Sequence, residues 1–497
     1  MVAPTGQAAS LHGLLIRRTM MVMAIDTTAE DRSTTTTSSL QPEGGLSLRA
    51  RLVLFVLCAA QFAVALDFSI LNIALPSLGQ SLHLSQADLQ WGMTAFALPS
   101  GGFLLLFGRV ADAVGRKRVF LGGLTLFTAA SVLATLAWSP ESFLAGRALQ
   151  GLGAAAIVPA GMALLTTTFR EGPQRDRALG IMGSLMAVGF TCGMVLGGVL
   201  TQLLTWRSTM GLNVVMGAAV LLAAPRLLPE SRNAVRPRMD IPGAITVTGG
   251  LLSLIYALST AAQKGFGDTS VLVTLVTAAV LLTAFFVIEA RTAEPLISLR
   301  ILRRPTVAFG NLGGLATIST MTAAVFLGTL YLQQVNRLSP VLTGLVFGAL
   351  GVSCALTGTL APRWVARVGS AKVLAGGLLL QAALTFGLLA IGAGTGGTWL
   401  FLVVISLAGI GHMAAMVAYN VTATSGLPDD EQGQATGLTT TTQQVGVTVG
   451  IPLLAAVAST RADVLSGVKL GLAVDAVAVA VLALTVAVGL GTAARRR

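Results

Sequence analysis

The sequence predicts an all-α integral membrane protein with fourteen spans, and three observations predict it. Hydrophobic residues fill 54% of the 497 positions and charged residues only 10%, where a soluble domain carries roughly 25% charged. Apolar windows of about 20 residues, the length of helix that crosses a hydrocarbon core, recur fourteen times. The basic residues crowd into every second connection between those windows.

In chain order, residues 1–50 include the run TTAEDRSTTTTSSLQPEGG. It is too poor in apolar side chains to bury a core and is expected to be a disordered cytoplasmic tail. Windows near 52–78, 89–108, 119–138, 142–168, 177–203 and 209–228 make an N-terminal six-helix bundle over residues 51–228. A linker at 229–305 holds two extra spans, near 241–260 and 270–288. Windows near 306–332, 341–361, 373–392, 398–421, 434–458 and 468–490 make a C-terminal bundle over 306–490, and 491–497 is a second cytoplasmic tail.

The charges orient these spans. With the N-terminus in the cytoplasm, all but six of the 32 Lys and Arg fall on the cytoplasmic side. Arg207, Lys264, Arg337, Arg461 and Lys469 fall outside, and Arg147 lies within a span. That asymmetry follows the positive-inside rule and predicts a multi-pass protein of the cytoplasmic membrane with both termini inside. The net charge of +12 is therefore read as loop orientation in a lipid bilayer, with no nucleic-acid partner. Asp429, Asp430 and Glu431 make the one acidic cytoplasmic loop. Cys58, Cys192 and Cys354 are scattered in apolar runs, and His12, His83 and His412 lack a second ligand at metal-binding spacing. Neither a disulfide framework nor a metal site is expected.

The first cytoplasmic hinge, GRVADAVGRKR at 108–118, gathers Arg109, Arg116, Lys117 and Arg118 around Asp112. Its end recurs downstream: VGRKRVFLGGL at 114–124 aligns with VGSAKVLAGGL at 368–378, a constant offset of 254. Gly115 matches Gly369, Arg118 matches Lys372 and Arg109 matches Arg363, but Asp112 meets Ala366. A duplication of two six-span halves explains the offset, and parallel halves with a site between them are a transporter arrangement.

Four features carry candidate chemistry. Asp67 lies midway through the first span, where a carboxylate costs roughly 2.5–3.5 kcal/mol on insertion scales and is a functional residue by default; it is expected to handle protons or a cationic substrate. Arg147, the one cation within a span, shares a helix face with Gln150 and Gly151 and needs a partner. Gly189, Gly193 and Gly197 stand four apart on one face, which permits close approach of a neighbouring helix. Asp475 and His412 are further polar residues within spans, each more readily read as an ordinary core residue. The substrate cavity is expected among polar or large mid-span side chains, namely Gln61, Phe96, Met186, Phe190, Asn311 and Asn420. A lining rich in apolar and Met side chains suits hydrophobic or cationic small molecules.

These motifs resemble the major facilitator superfamily, and within it the fourteen-span drug:proton antiporters. Gly108–Arg118 is similar to that superfamily's loop between spans two and three. LDFSILNIALP at 66–76 resembles the first-span signature, and RALQGLGAAAIVPA at 147–160 the fourth-span motif. GFTCGMVLGG at 189–198 resembles the fifth-span antiporter motif through Gly189, Gly193, Gly197 and Gly198, with Met194 where a proline is usual. WRSTMGLNV at 206–214 is also similar to a stretch of this family.

The resemblance implies a major facilitator fold of two six-helix bundles plus two linker helices. It implies that Arg147 joins Asp67 in proton transfer and that the fifth-span glycines form a tight seam. It also implies that Gly108, Arg109, Asp112, Gly115, Arg116, Lys117 and Arg118 form a cytoplasmic gate, whose charges pair across the two halves to close that side in the outward-open state. The expected activity is proton-coupled efflux of drugs or antibiotics by a monomer, driven by the proton gradient with no cofactor. No HExxH, GxSxG or phosphate-binding GxxxxGK[ST] stretch is present, which argues against an enzyme or an ATP-driven pump. An importer or symporter of a small solute on the same fold is the alternative.

Overall fold

The chain crosses the hydrocarbon layer as helices because a helix satisfies its own backbone polar groups where no water can. The computed structural model describes residues 47–84, 89–169, 172–230, 240–292, 299–427 and 429–495. The expected tail therefore lies outside the described residues up to position 46, as do the acidic side chains at 429–431. Among the described residues there are thirteen helices long and apolar enough to span a membrane, or fourteen spans when one bent pair is joined.

The first bundle consists of α1 (Leu48–Ser81), α2 (Leu89–Gly102), α3 (Leu104–Val114), α4 (Arg116–Thr135), α5 (Pro140–Thr168), α6 (Pro173–Leu203) and α7 (Trp206–Leu227). The inserted pair is α8 (Ile241–Lys264) and α9 (Thr269–Glu289). A single turn, α10 (Leu299–Leu302), leads into the second bundle. That bundle holds α11 (Pro305–Leu330), α12 (Pro340–Val368), α13 (Ser370–Gly387), α14 (Thr395–Thr424), α15 (Asp429–Ala458) and α16 (Val464–Arg495).

Local sequence sets the ends. Ser139 caps α5 in a reciprocal box with Ser142, with Pro140 at the first helical position. At the start of α12, Ser339 Oγ accepts from the Leu342 amide and Pro340 follows the cap, without the reciprocal bond. Two boundaries differ from the sequence reading. Helix α1 begins at Leu48, and α16 runs on to Arg495 through the expected C-terminal tail.

The second span is not the single helix expected over 89–108. It bends by 46° between α2 and α3. Pro99 lacks an amide hydrogen and Gly101–Gly102 follow it, the combination at which membrane helices kink. Both glycines are used: a side chain on Gly101 would collide with Thr448 of α15, and one on Gly102 with Leu252 of α8.

The duplication seen in the sequence is built into the packing. Gly115 (φ +124°) joins α3 to α4 and Gly369 (φ +91°) joins α12 to α13, each in a conformation that costs a side-chain-bearing residue strain. A Cβ on Gly153 of α5 would stand 2.7 Å from the Gly123 carbonyl and 2.8 Å from the Phe127 amide. In the second bundle a Cβ on Gly411 of α14 would stand 2.6 Å from the Gly377 carbonyl and 2.8 Å from the Gln381 amide. Gly377 and Gln381 match Gly123 and Phe127 at the offset of 254. Both helix pairs are held by backbone contact, since apolar burial gives no driving force between helices in lipid.

The bundles meet along two seams, α6 against α12 and α2 against α15, and α8 lies over the second. Polar ties cross between the bundles away from the 108–118 hinge: Gln333 Nε2 donates to the Ile73 carbonyl (3.0 Å) and the Val341 amide to Gln202 Oε1 (3.3 Å). Midway, Gln444 Nε2 donates to Ser100 Oγ (2.7 Å).

Gly411→Ala should destabilise the protein by about 1–3 kcal/mol through overpacking. Gly376→Ala, where nothing lies within 4 Å of the new Cβ, should be neutral or stabilising by about 0.5–1 kcal/mol. Thermal unfolding in detergent, compared between the two variants, checks the contrast.

Candidate functional site: a buried ion pair in the first bundle

Asp67 of α1 and Arg147 of α5 form a salt bridge, Nη1 to Oδ2 2.7 Å, with both side chains 0% exposed. The same Nη1 donates to Gln150 Oε1 (2.8 Å), and Arg147 Nε donates to the Gly92 carbonyl of α2 (3.2 Å). The other carboxylate oxygen, Oδ1, accepts from Asn213 Nδ2 of α7 (2.5 Å) and Gln150 Nε2 (3.3 Å). Gln150 is held in turn by Ser131 Oγ of α4 (2.8 Å). Five spans thus join one network: α5 and α7 bond the carboxylate of α1 directly, α2 through Arg147 and α4 through Gln150. The ring of Phe96 closes the pocket with the guanidinium carbon 4.6 Å from its centroid, a favourable cation–π contact.

The helices approach this closely because glycine occupies the crossing points. A side chain on Gly151 would run into the Phe96 carbonyl. On α6, Gly189, Gly193 and Gly197 lie against the α1 backbone at Phe62, Leu66 and Ile70, the turns that carry Asp67. Gly198 does not share that seam. Its missing Cβ faces Pro340 and Val341 of α12, so it belongs to the contact between bundles. With Met194 in place of a proline, α6 runs unbroken from Pro173 to Leu203.

The sequence pointed to Asp67 and Arg147 separately, and the structure brings them together. It adds Asn213, Ser131 and the Gly92 carbonyl, none of which was singled out. Asn213 lies within the WRSTMGLNV stretch, which was the available signal. Two buried polar atoms here, Arg147 Nη2 and Asn213 Oδ1, have no hydrogen-bond partner.

The cavity candidates divide. Gln61 is buried and donates to the Val158 carbonyl (3.1 Å), Asn311 bonds Thr442 and the Val307 carbonyl, and Phe96 is spent on Arg147. These three are buried between helices. Met186, Phe190 and Asn420 are partly exposed. Asp475 of α16 is 1% exposed and neither of its carboxylate oxygens has a partner.

The hinge charges Asp112, Arg116, Lys117 and Arg118 are paired within their own half. Asp112 does not pair across the two halves: it accepts from Arg116 of its own turn, at 2.9 Å and 3.1 Å. Lys117 Nζ donates to the Pro225 carbonyl (2.8 Å), and Arg118 lies 3.7 Å from Glu230, both at the end of α7. Gly108 has room beside Pro159, and Arg109 is partly buried on α3. An i, i+4 partner is always within reach of Asp112, whereas a partner in the other bundle requires the hinge ends of the bundles to meet.

Removing one partner from a buried pair strands the other charge. Arg147→Gln should therefore destabilise by about 3–5 kcal/mol. The double variant Asp67→Asn/Arg147→Gln should recover most of that loss. A double-mutant cycle of thermal unfolding reads both.

The sequence matches the Major Facilitator Superfamily over residues 57–451. It is 39% identical to the cephamycin export protein CmcT of Amycolatopsis lactamdurans over 412 residues, 82% of this chain and 84% of that protein. It is 38% identical to the puromycin resistance protein pur8 of Streptomyces alboniger, covering 81% and 80% of the two chains. The tetracenomycin C resistance and export protein of Streptomyces glaucescens is 30% identical, covering 84% and 78%. Among solved structures, the POT family transporter PepTSo superposes with a TM-score of 0.68 over 90% of this chain and 99% of that one at 16% identity. The human organic anion transporter MFSD10 gives 0.60 over 88% and 99% at 17% identity. Helix count, duplicated bundles and sequence agree: the chain belongs to the major facilitator superfamily of membrane transporters.

Proposed function

We propose that this transporter is a proton-coupled antiporter of the cytoplasmic membrane that exports hydrophobic or cationic drugs or antibiotics by alternating access. The observation that carries the reading is the fully buried Asp67–Arg147 pair, set in a chain whose relatives are named for antibiotic export and resistance. In a water-excluded pocket the attraction between two charges is much stronger than in water. A proton delivered to Asp67 cancels that attraction and leaves Arg147 held by Gln150, the Gly92 carbonyl and the Phe96 ring. Because α1, α2, α5 and α7 touch the pair and α4 reaches it through Gln150, a local change of charge biases how those helices pack. Coupling of this kind needs two packings of one bundle whose balance the proton shifts.

The positive-inside asymmetry puts the 108–118 hinge on the cytoplasmic side. With the bundles tied together away from the hinge, and Asp112, Lys117 and Arg118 paired within their own half, the arrangement suits a state open to the cytoplasm. Closing that side would let Asp112 exchange Arg116 for a partner in the second bundle. Ala366 stands where a matching acid would be, so only one half supplies the acid. The protein works as a monomer, and its energy comes from the proton gradient.

Everted vesicles carrying the protein, given an imposed pH gradient, should accumulate a fluorescent drug and lose that accumulation on addition of a protonophore. Accumulation insensitive to the protonophore would rule out antiport, and uptake by intact cells would point to import. Asp67→Asn should abolish gradient-driven transport. Asp112→Asn should slow it while leaving equilibrium drug binding nearly unchanged; lost binding would make the hinge a substrate site.

A further inference from the structure

The second bundle holds a polar cluster that the ion pair leaves unused. Thr317 of α11, Gln381 of α13 and His412 of α14 meet among apolar neighbours, and their hydrogen bonds leave one consistent assignment of protons. Gln381 Nε2 donates to Thr320 Oγ1 (2.8 Å) and to the Thr317 carbonyl (3.3 Å), which fixes the amide's orientation. The Thr317 hydroxyl donates to Gln381 Oε1 (2.6 Å), and so can only accept from His412 Nδ1, 2.9 Å away. The Thr317 carbonyl, 3.2 Å from the same nitrogen, is an acceptor by nature. Nδ1 therefore carries the hydrogen, and in the neutral ring Nε2 is a bare acceptor.

Among the described residues no hydrogen-bond donor meets that acceptor. Nε2 is not sealed from its surroundings, and the residue is partly exposed. It does not face lipid. The exposed side of α14 carries Val403, Leu407 and Val421, and at about 100° per residue His412 lies on the opposite side of the helix. The partly exposed Met416, one turn on, continues the same inward strip.

We propose that His412 is a specificity-determining residue whose Nε2 is a fixed hydrogen-bond acceptor in the substrate path, selecting molecules that present an amino or hydroxyl hydrogen. Thr317 and Gln381 are positioning residues for it: they hold the ring and choose its tautomer, so the acceptor is in place before substrate arrives. The inference rests on the efflux reading and adds a recognition rule to it, since an apolar path alone would give an unalkylated amine no advantage over an alkylated one.

Two measurements test it. With histidine 15N-labelled, the protein should show His412, identified by the signal lost in His412→Asn, as the Nδ1–H tautomer; a neutral Nε2–H tautomer would overturn the proposal without reference to any ligand. For recognition, proflavine and acridine orange share one acridine ring and differ in having free or dimethylated amino groups. Purified wild-type protein should bind proflavine more tightly, and His412→Asn, which keeps a donor toward Thr317 but removes the inward acceptor, should weaken proflavine about threefold to tenfold, the loss of one hydrogen bond. Acridine orange should be unaffected. An equal loss for both dyes, or no loss for either, would overturn the proposal alone. Failure of wild-type protein to bind either dye would overturn the efflux reading and this inference with it.

Discussion

The structure depends on one carboxylate that cannot reach water. Asp67 is placed where an unpaired charge would be too costly to keep, and every feature of the first bundle near it serves to keep it paired. Arg147 supplies the opposite charge, while Asn213 and Gln150 use the remaining acceptor capacity. Glycines at 151, 189, 193 and 197 bring the backbones of α2, α6 and α1 close enough for the pocket to close. A buried pair of this kind adds little net stability over an apolar core. Its presence is better explained by what a change in its charge does to five spans at once.

The two bundles share a backbone plan and differ in their polar content. The same glycine contacts lock α4 to α5 and α13 to α14, and the same positive-φ glycine precedes each pair. The first bundle then places an ion pair where the second places a neutral chain of Thr317, Gln381 and His412. A charge-neutral cluster can be satisfied by hydroxyls and amides alone, so it needs no arginine and leaves a ring nitrogen free to face inward.

Much of this was legible in the sequence for a physical reason. Lipid removes water as a hydrogen-bond partner, so length and hydropathy alone fix where helices run, and the fourteen windows each carry a helix. Asp67 and Arg147 stood out because a charge in such a window is anomalous wherever it points. The rest was hidden because small polar residues are common in spans and only packing gives them a role. Asn213 and Ser131 look like many other residues until α7 and α4 turn them toward Asp67. Phe96 was assigned to a cavity because large side chains line cavities, but side-chain direction, which the sequence does not carry, puts it on Arg147. The hinge was legible only in part for a similar reason: the sequence shows which charges are near each other along the chain, but the partners they take depend on the conformation.

The inserted pair illustrates a different limit on what a sequence must specify. Only 17% of the most apolar stretch of α9 is buried, against 78% for α1. Most of its side chains touch lipid tails, and lipid does not distinguish Leu from Val or Phe by shape as a packed core does. Selection can therefore hold α9 to a length and an oiliness while leaving its letters free to drift. Helix α1, clasped on nearly every side, is held to its letters. Two homologues could differ at almost every position of α9 and still insert it identically, and similarity there would measure little beyond elapsed time.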